Sequence, residues 1–279
     1  MKRFLIVLLI LFFAANAHAF RCGMIGAIAN QGGDGGGGGG SGPCDSCGTC
    51  GGCAAADIAC EDWDTDNSCS WTDDTDSGAA GTISHTASHS GTWGCTDKGS
   101  YCLDILVDDD TTGDCYTRFD MGEAKGTEGT DYYIHFSYMQ TSKGDLATFQ
   151  SMKIIQAESS TMPDFGNINL RFYQSGSSSY ELRLYMNGST LAATASSISL
   201  STHYEIGIRW KVVTGSDNDE VQLYVDGVSQ GSKTDTDLSE TPRYIYFGTG
   251  STSSNYYNAR FQIDNLEIDD DTMPSDCPE

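Results

Sequence analysis

From residue 60 onward apolar side chains recur at every second position, the spacing at which a pleated strand turns alternate side chains to one face. The pattern is clearest between His203 and Val228. There Ile206, Ile208, Trp210 and Val212 alternate with Glu205, Gly207, Arg209 and Lys211, and Val221, Leu223 and Val225 repeat the rhythm. Asp226-Gly227 supplies two residues that tolerate left-handed backbone, as a two-residue hairpin turn requires. The same alternation predicts strands over 81–86, 100–107, 114–120, 131–140, 149–156, 166–174, 180–186, 204–213, 220–226, 243–248 and 259–268. Gly, Ser, Asp and Thr fill the gaps, and no segment sustains a helical period. The expected fold is all-β, a two-sheet antiparallel jelly-roll sandwich.

The N-terminus follows other rules. Lys2 and Arg3 precede the apolar run Phe4 to Ala15, and Ala17-His18-Ala19 forms an A-x-A cleavage site. Residues 1–19 thus read as a signal peptide, with the mature chain secreted to the extracellular space, periplasm or cell surface. The apolar run is too short to span a bilayer. Residues 20–59 read as a Gly/Cys-rich linker, with glycine continuous from Gly35 to Gly40 and Cys44, Cys47, Cys50 and Cys53 at C-x2-C spacing. That spacing suits either a metal cluster or oxidised cross-links, including self-association through this segment; export favours the second. Residues 60–279 form the sandwich domain.

The formal charge is −24, and loss of Lys2 and Arg3 takes it to −26. Such a balance excludes nucleic acid and anionic membrane surfaces as partners, since both recruit basic patches. It is compatible with simple solubility or with structural Ca²⁺, an oxygen-seeking cation. Asp62, Asp64, Asp66 and Asp73 fall at positions 1, 3, 5 and 12 of a loop with EF-hand-like spacing, although no flanking helices are predicted. All eleven cysteines lie beyond the signal, so disulfides are expected. Cys60 with Cys69, and Cys95 with Cys102, close short loops worth about 2–3 kcal/mol each. Cys115 and Cys277 then pair by elimination.

Tyr204-Glu205-Ile206-Gly207-Ile208-Arg209-Trp210, followed by Leu223-Tyr224-Val225-Asp226-Gly227, resembles the LamG-like jelly-roll group of the concanavalin A-like lectin/glucanase superfamily. Phe261 to Ile268 fills the place of that group's closing F-D-x-I/V strand. The domain's start is similar to a MAM adhesion domain, through Cys60-Glu61-Asp62-Trp63 and Ser68-Cys69-Ser70-Trp71-Thr72, with Cys277 in the place of its last cysteine. The resemblance implies a sandwich over about 61–270. It also implies a structural Ca²⁺ between the first and last strands, held by Asp62 and Asp264.

The glucanase signature of that superfamily, E-x-D-x-x-E, is approached by Gln262-Ile263-Asp264-Asn265-Leu266-Glu267. Gln262 replaces the first carboxylate, and strand parity places Asp264 and Glu267 on opposite faces, so a retaining glycosidase is disfavoured. A polysaccharide lyase needs a cation for the uronate carboxylate and Tyr or His for proton transfer. Parity puts Arg171 with Tyr173, Arg183 with Tyr185, Tyr133 with His135, and Arg209 with Lys211 on polar strand faces. If their strands share a sheet, these eight residues form one basic, aromatic ligand-binding face. The alternative is a solvated surface whose arginines pair with Glu181 or Glu205. His85 and His89 lack a glutamate partner for zinc, and Asn187-Gly188-Ser189 is a glycosylation sequon at a hairpin tip. The expected function is a secreted, non-catalytic carbohydrate-binding or adhesion module whose partner is an extracellular glycan or cell-surface protein. The alternatives are a lyase or glycoside hydrolase on the same sandwich, or a structural subunit cross-linked through its Cys-rich tail.

Overall fold

A computed structural model describes residues 59–61, 71–72, 81–87, 101–107, 115–121, 130–158, 168–211, 219–234, 242–249 and 258–269. The expectations for residues 1–19, for the Gly/Cys-rich tract up to residue 58, and for Asp62, Cys69, Cys95 and Cys277 lie outside these residues. So does the side chain of Cys60.

The described elements are all strands: β1 (Ala59–Glu61), β2 (Trp71–Thr72), β3 (Gly81–Ala87), β4 (Tyr101–Val107), β5 (Cys115–Asp120), β6 (Asp131–Lys143), β7 (Ser151–Glu158), β8 (Ile168–Gln174), β9 (Tyr180–Met186), β10 (Thr190–Ile198), β11 (His203–Lys211), β12 (Glu220–Val225), β13 (Val228–Thr234), β14 (Tyr244–Thr249) and β15 (Ala259–Asp269). They form two antiparallel sheets. Sheet A runs β13-β12-β11-β6-β15-β4-β3, with β1 also on β15, and sheet B runs β10-β9-β8-β7-β14-β5-β2. Among the described residues no helix is long and apolar enough to cross a membrane.

The alternating apolar positions meet between the sheets. Ile134, Phe136, Ile206, Ile208, Trp210, Phe261 and Ile263 come from sheet A, and Ile155, Leu170, Phe172, Leu182, Leu184, Ile245 and Phe247 from sheet B. Trp210 is fully buried and stacks on Tyr132 at 4.7 Å, so it is core rather than a sugar platform. Asp226 and Gly227 have φ of 51° and 71°, the left-handed pair expected of the tight hairpin between β12 and β13.

Alternation found the strands whose inward positions carry large apolar side chains and missed those whose positions do not. β10 (TLAATASSI) carries small side chains, and β13 (VSQGSKT) is exposed along almost its whole length. Both are edge strands held by backbone pairing to one neighbour; β10 turns the small Ala193 and Ala195, with Ile198, to the core across two register shifts that blur the alternation. β1 and β2 are too short for a period to show.

Cys102 is disulfide-bonded, to a partner outside the described side chains. Cys115 is not. Its thiol is in no disulfide, lies buried in the core cluster and points at the Leu106 carbonyl, 3.7 Å away, which corrects the expected Cys115–Cys277 bridge. Parity along β5 turns Cys115 inward, and burial pushes its thiol pKa up to about 12. Such a thiol is a small core hydrophobe, not a reactive group.

Candidate functional site

The eight residues expected to share one face fall on two. Arg171, Tyr173, Arg183 and Tyr185 lie on β8 and β9 and point outward from sheet B. Tyr133, His135, Arg209 and Lys211 lie on β6 and β11 and point outward from sheet A. The sandwich sets the groups back to back, so the single face does not form.

On sheet B, Arg171 and Arg183 are directly opposite each other, a like-charge pair that is unfavourable in a bare sheet. Each guanidinium leans diagonally over the tyrosine of the neighbouring strand: Arg171 lies 4.4 Å from the Tyr185 ring centre, and Arg183 3.4 Å from that of Tyr173. These crossed cation–π contacts relieve the repulsion and leave polar edges outward. Arg171 donates to Asn169 Oδ1 and to the Gly188 carbonyl, both at 2.6 Å, and Arg183 donates to Glu181 at 2.8 Å. Burial lowers the Arg183 pKa, but hydrogen bonds to Glu181 and Tyr185 and the Glu181 charge outweigh it, so the guanidinium stays charged. Lys153, opposite Arg171 on β7, donates to Gln156 Oε1 at 2.6 Å.

The same face continues across β14 and β5. Tyr116, Tyr244 and Tyr246 form an aromatic cluster separate from the main core, with Tyr116 edge-on to Tyr246 at 5.1 Å. Arg118 and Arg243 each lie 5.1 Å from the Tyr244 ring centre. Tyr246 is fully buried, and desolvation raises its phenol pKa despite the opposing hydrogen bond and charge of Arg118. Tyr116, Arg118, Tyr244 and Tyr246 did not figure in the sequence expectation. Parity signals them, since each alternates with an inward Phe119, Ile245 or Phe247. Gly248 faces Tyr116 with φ of 119°, and a Cβ there would lie 2.1 Å from the Cys115 carbonyl oxygen.

The outer face of sheet A is chemically different. Arg209 donates to Asp131 Oδ2 at 2.7 Å and lies 3.6 Å from Glu220. Burial lowers its pKa while Asp131 raises it further, and the guanidinium is committed to that pair. Arg260 grips the buried Asp104. Ser137 donates to Glu205 at 3.0 Å, and the Glu205 carboxylate also meets His203 Nε2 at 3.1 Å and His135 Nε2 at 3.6 Å.

Strict alternation breaks along β15. A register shift sets Asp264 opposite Ser137 and Glu267 opposite His135, positions two apart on β6. The bulge therefore turns Asp264 and Glu267 to the same outward face, where both are buried. Gln262 shares that face and supplies no carboxylate. Asp62, the other expected Ca²⁺ ligand, is not described. Among the described residues no group of three or more His, Cys, Asp or Glu is placed to hold a metal.

No protein-family model and no curated protein sequence matches the chain. Among solved structures, the globular domain of T. cruzi calreticulin superposes with a TM-score of 0.52 at 13% identity, covering 77% of this chain and 88% of that one. The shared fold is a two-sheet antiparallel jelly-roll sandwich. This jelly roll is also similar in outline to the Emp47p carbohydrate recognition domain, with a TM-score of 0.45, 9% identity and coverage of 78% and 97%. A third match is the PL7 alginate lyase AlyA1 from Zobellia galactanivorans, with a TM-score of 0.43, 13% identity and coverage of 69% and 95%. At such identities the likeness is one of fold alone.

Proposed function

We propose that this jelly roll is a carbohydrate-binding protein that holds an acidic glycan on the outer face of sheet B. One observation carries the reading. Arg118, Lys153, Arg171, Arg183 and Arg243, a third of the chain's fifteen lysines and arginines, gather on a single face interleaved with tyrosines. The described carboxylates beside them are Glu158 and Glu181. Guanidinium groups bind carboxylates through paired hydrogen bonds, and the half-buried Tyr173 and Tyr185 bring hydroxyls to the same face.

Binding is favoured over lyase chemistry by the state of the central phenol. A lyase base must reach the substrate and give up its proton near neutral pH. Tyr246 is enclosed, and burial raises its pKa. The reading includes export, on the N-terminal sequence argument, with a mature chain that begins at Phe20 in intact-mass measurement.

Calorimetric titration with polygalacturonate, alginate and a neutral β-glucan tests the proposal. Binding of a polyuronate but not the glucan, without growth of the ultraviolet absorbance of unsaturated uronates, is the expected result. Failure to bind any polyuronate sinks it, and accumulation of unsaturated product converts the reading to a lyase.

A further inference from the structure

The β6–β7 connection contains a costly conformation that the core does not require. Ala147 to Gln150 form a turn closed by the Gln150 N–H donating to the Ala147 carbonyl at 3.0 Å. Phe149 occupies its third position with φ of 69°, where turns of this kind take glycine or asparagine. For a bulky side chain this is strained backbone. The surroundings hold it firmly. The Phe149 N–H donates to the Gln174 carbonyl at 2.7 Å, the Gln174 N–H to the Gln150 carbonyl at 3.0 Å, and the Ala147 N–H to Gln150 Oε1 at 2.9 Å. Leu146, at the base of the turn, is buried in the core.

All this pins the backbone that carries an aromatic ring into solvent. Phe149 is 73% exposed, the highest value among the large hydrophobic residues described. Glycine at this position would remove both the strain and the exposed apolar surface, so the fold itself gains nothing from phenylalanine.

Its place in the sheet gives a reason. Gln150 pairs with Gln174, the rung after Ser151 with Tyr173, so Phe149 stands at the end of sheet B nearest the Tyr173–Arg183 contact. The distance along the strand from Ser151 to Phe149 is about 7 Å. The adjoining β8–β9 turn, Ser175 to Ser179, exposes Ser177, Ser178 and Ser179. An exposed aromatic ring beside a hydroxyl-rich turn matches the two surfaces of a pyranose, one of C–H bonds and one of hydroxyls.

We infer that Phe149 is a sugar-stacking platform that extends the cationic face of sheet B by a terminal subsite and sets how long a glycan chain the protein prefers. The inference rests on the proposed binding of an acidic glycan and adds the apolar contact at its end. Because the backbone that carries the ring is already pinned, stacking has to order only the two side-chain torsions.

Short and long oligouronates from pectate and alginate, titrated calorimetrically against the full chain, test it. Phe149→Ala weakens the long oligomers about tenfold, the scale of a truncated aromatic anchor, and leaves the shortest unchanged. Phe149→Trp retains long-oligomer affinity. Phe149→Gly melts at or above the wild-type temperature, which separates lost contact from lost folding. Wild-type affinity of Phe149→Ala for every oligomer overturns the inference. If Arg183→Ala still weakens binding in that case, the cationic-face reading survives. If Arg171→Ala and Arg183→Ala also bind as wild type, that reading fails too.

Discussion

The two outer faces of this sandwich use similar residues to opposite ends. On sheet A, Arg209 and Arg260 are bound to Asp131 and Asp104, and Glu205 is enclosed by Ser137 and two histidines. On sheet B, Arg171 and Arg183 lean on tyrosine rings; Arg171 donates to an amide oxygen and a backbone carbonyl, whereas Arg183 also pairs with Glu181 at 2.8 Å, as the sequence alternative of a Glu181 partner anticipated. A guanidinium neutralised by a carboxylate has little left for a polyanion. A guanidinium that rests on a ring and donates to neutral oxygens, as Arg171 does, is not neutralised by those contacts. The contrast shows that ligand potential lies less in which cations a face carries than in what already occupies them.

The sharpest way to break the comparison is to remove the cations from each face in turn. Arg171→Ala with Arg183→Ala is expected to weaken polyuronate binding about 100-fold, or ~2.7 kcal/mol, while Arg209→Ala changes it less than about twofold. Equal losses from both faces in parallel titrations would dismiss the distinction. Stability should respond the other way. Glu205→Ala leaves the buried Ser137 hydroxyl without this acceptor and two imidazoles without their carboxylate, a cost of about 2 kcal/mol in denaturant unfolding with binding preserved.

The core between the faces has its own signature in pH. Cys115 holds its proton to about pH 12 when folded and loses it from about pH 9 when unfolded. Its contribution is therefore fully present below pH 9 and falls by about 1.4 kcal/mol per pH unit above it. Buried Tyr246 acts in the same sense at higher pH, so the difference between wild type and Cys115→Ala isolates the thiol. Urea midpoints of both proteins that fall in parallel from pH 9 to 11 would contradict this assignment. The smallest effect is in salt. The chain's charge of −24 repels a polyanion at long range, whereas the sheet B contacts act within a Debye length of about 10 Å at 0.1 M. Affinity should pass through a shallow maximum, about two- to threefold, as salt rises; a monotonic decline would show that the acidic remainder is not felt.

Much of this was legible in the sequence, for reasons that also set the limits. Ile206, Ile208 and Trp210 announce their strand because they bury one face, and the Asp226-Gly227 turn is written in residue chemistry. Alternation reports a face, however, and not the sheet to which the face belongs. Arg171 and Arg209 therefore looked alike until pairing separated them. Parity also assumes a strand without interruption. The extra residue between Asp264 and Glu267 reverses it, and nothing in Asn265-Leu266 signals that shift.

Gly248 gives the binding face a mechanical dimension. A single methyl group there would meet the backbone of Cys115 and Tyr116, on the strand that also carries Arg118. Rigid strand backbone on both sides leaves only one way to relieve the clash, which is to part β5 from β14. Tyr116 and Arg118 would then travel away from Tyr246 as a unit. The aromatic cluster is thus clamped by an atom that is not there, and its geometry is as sensitive to added bulk behind it as to any change in the residues that touch a ligand.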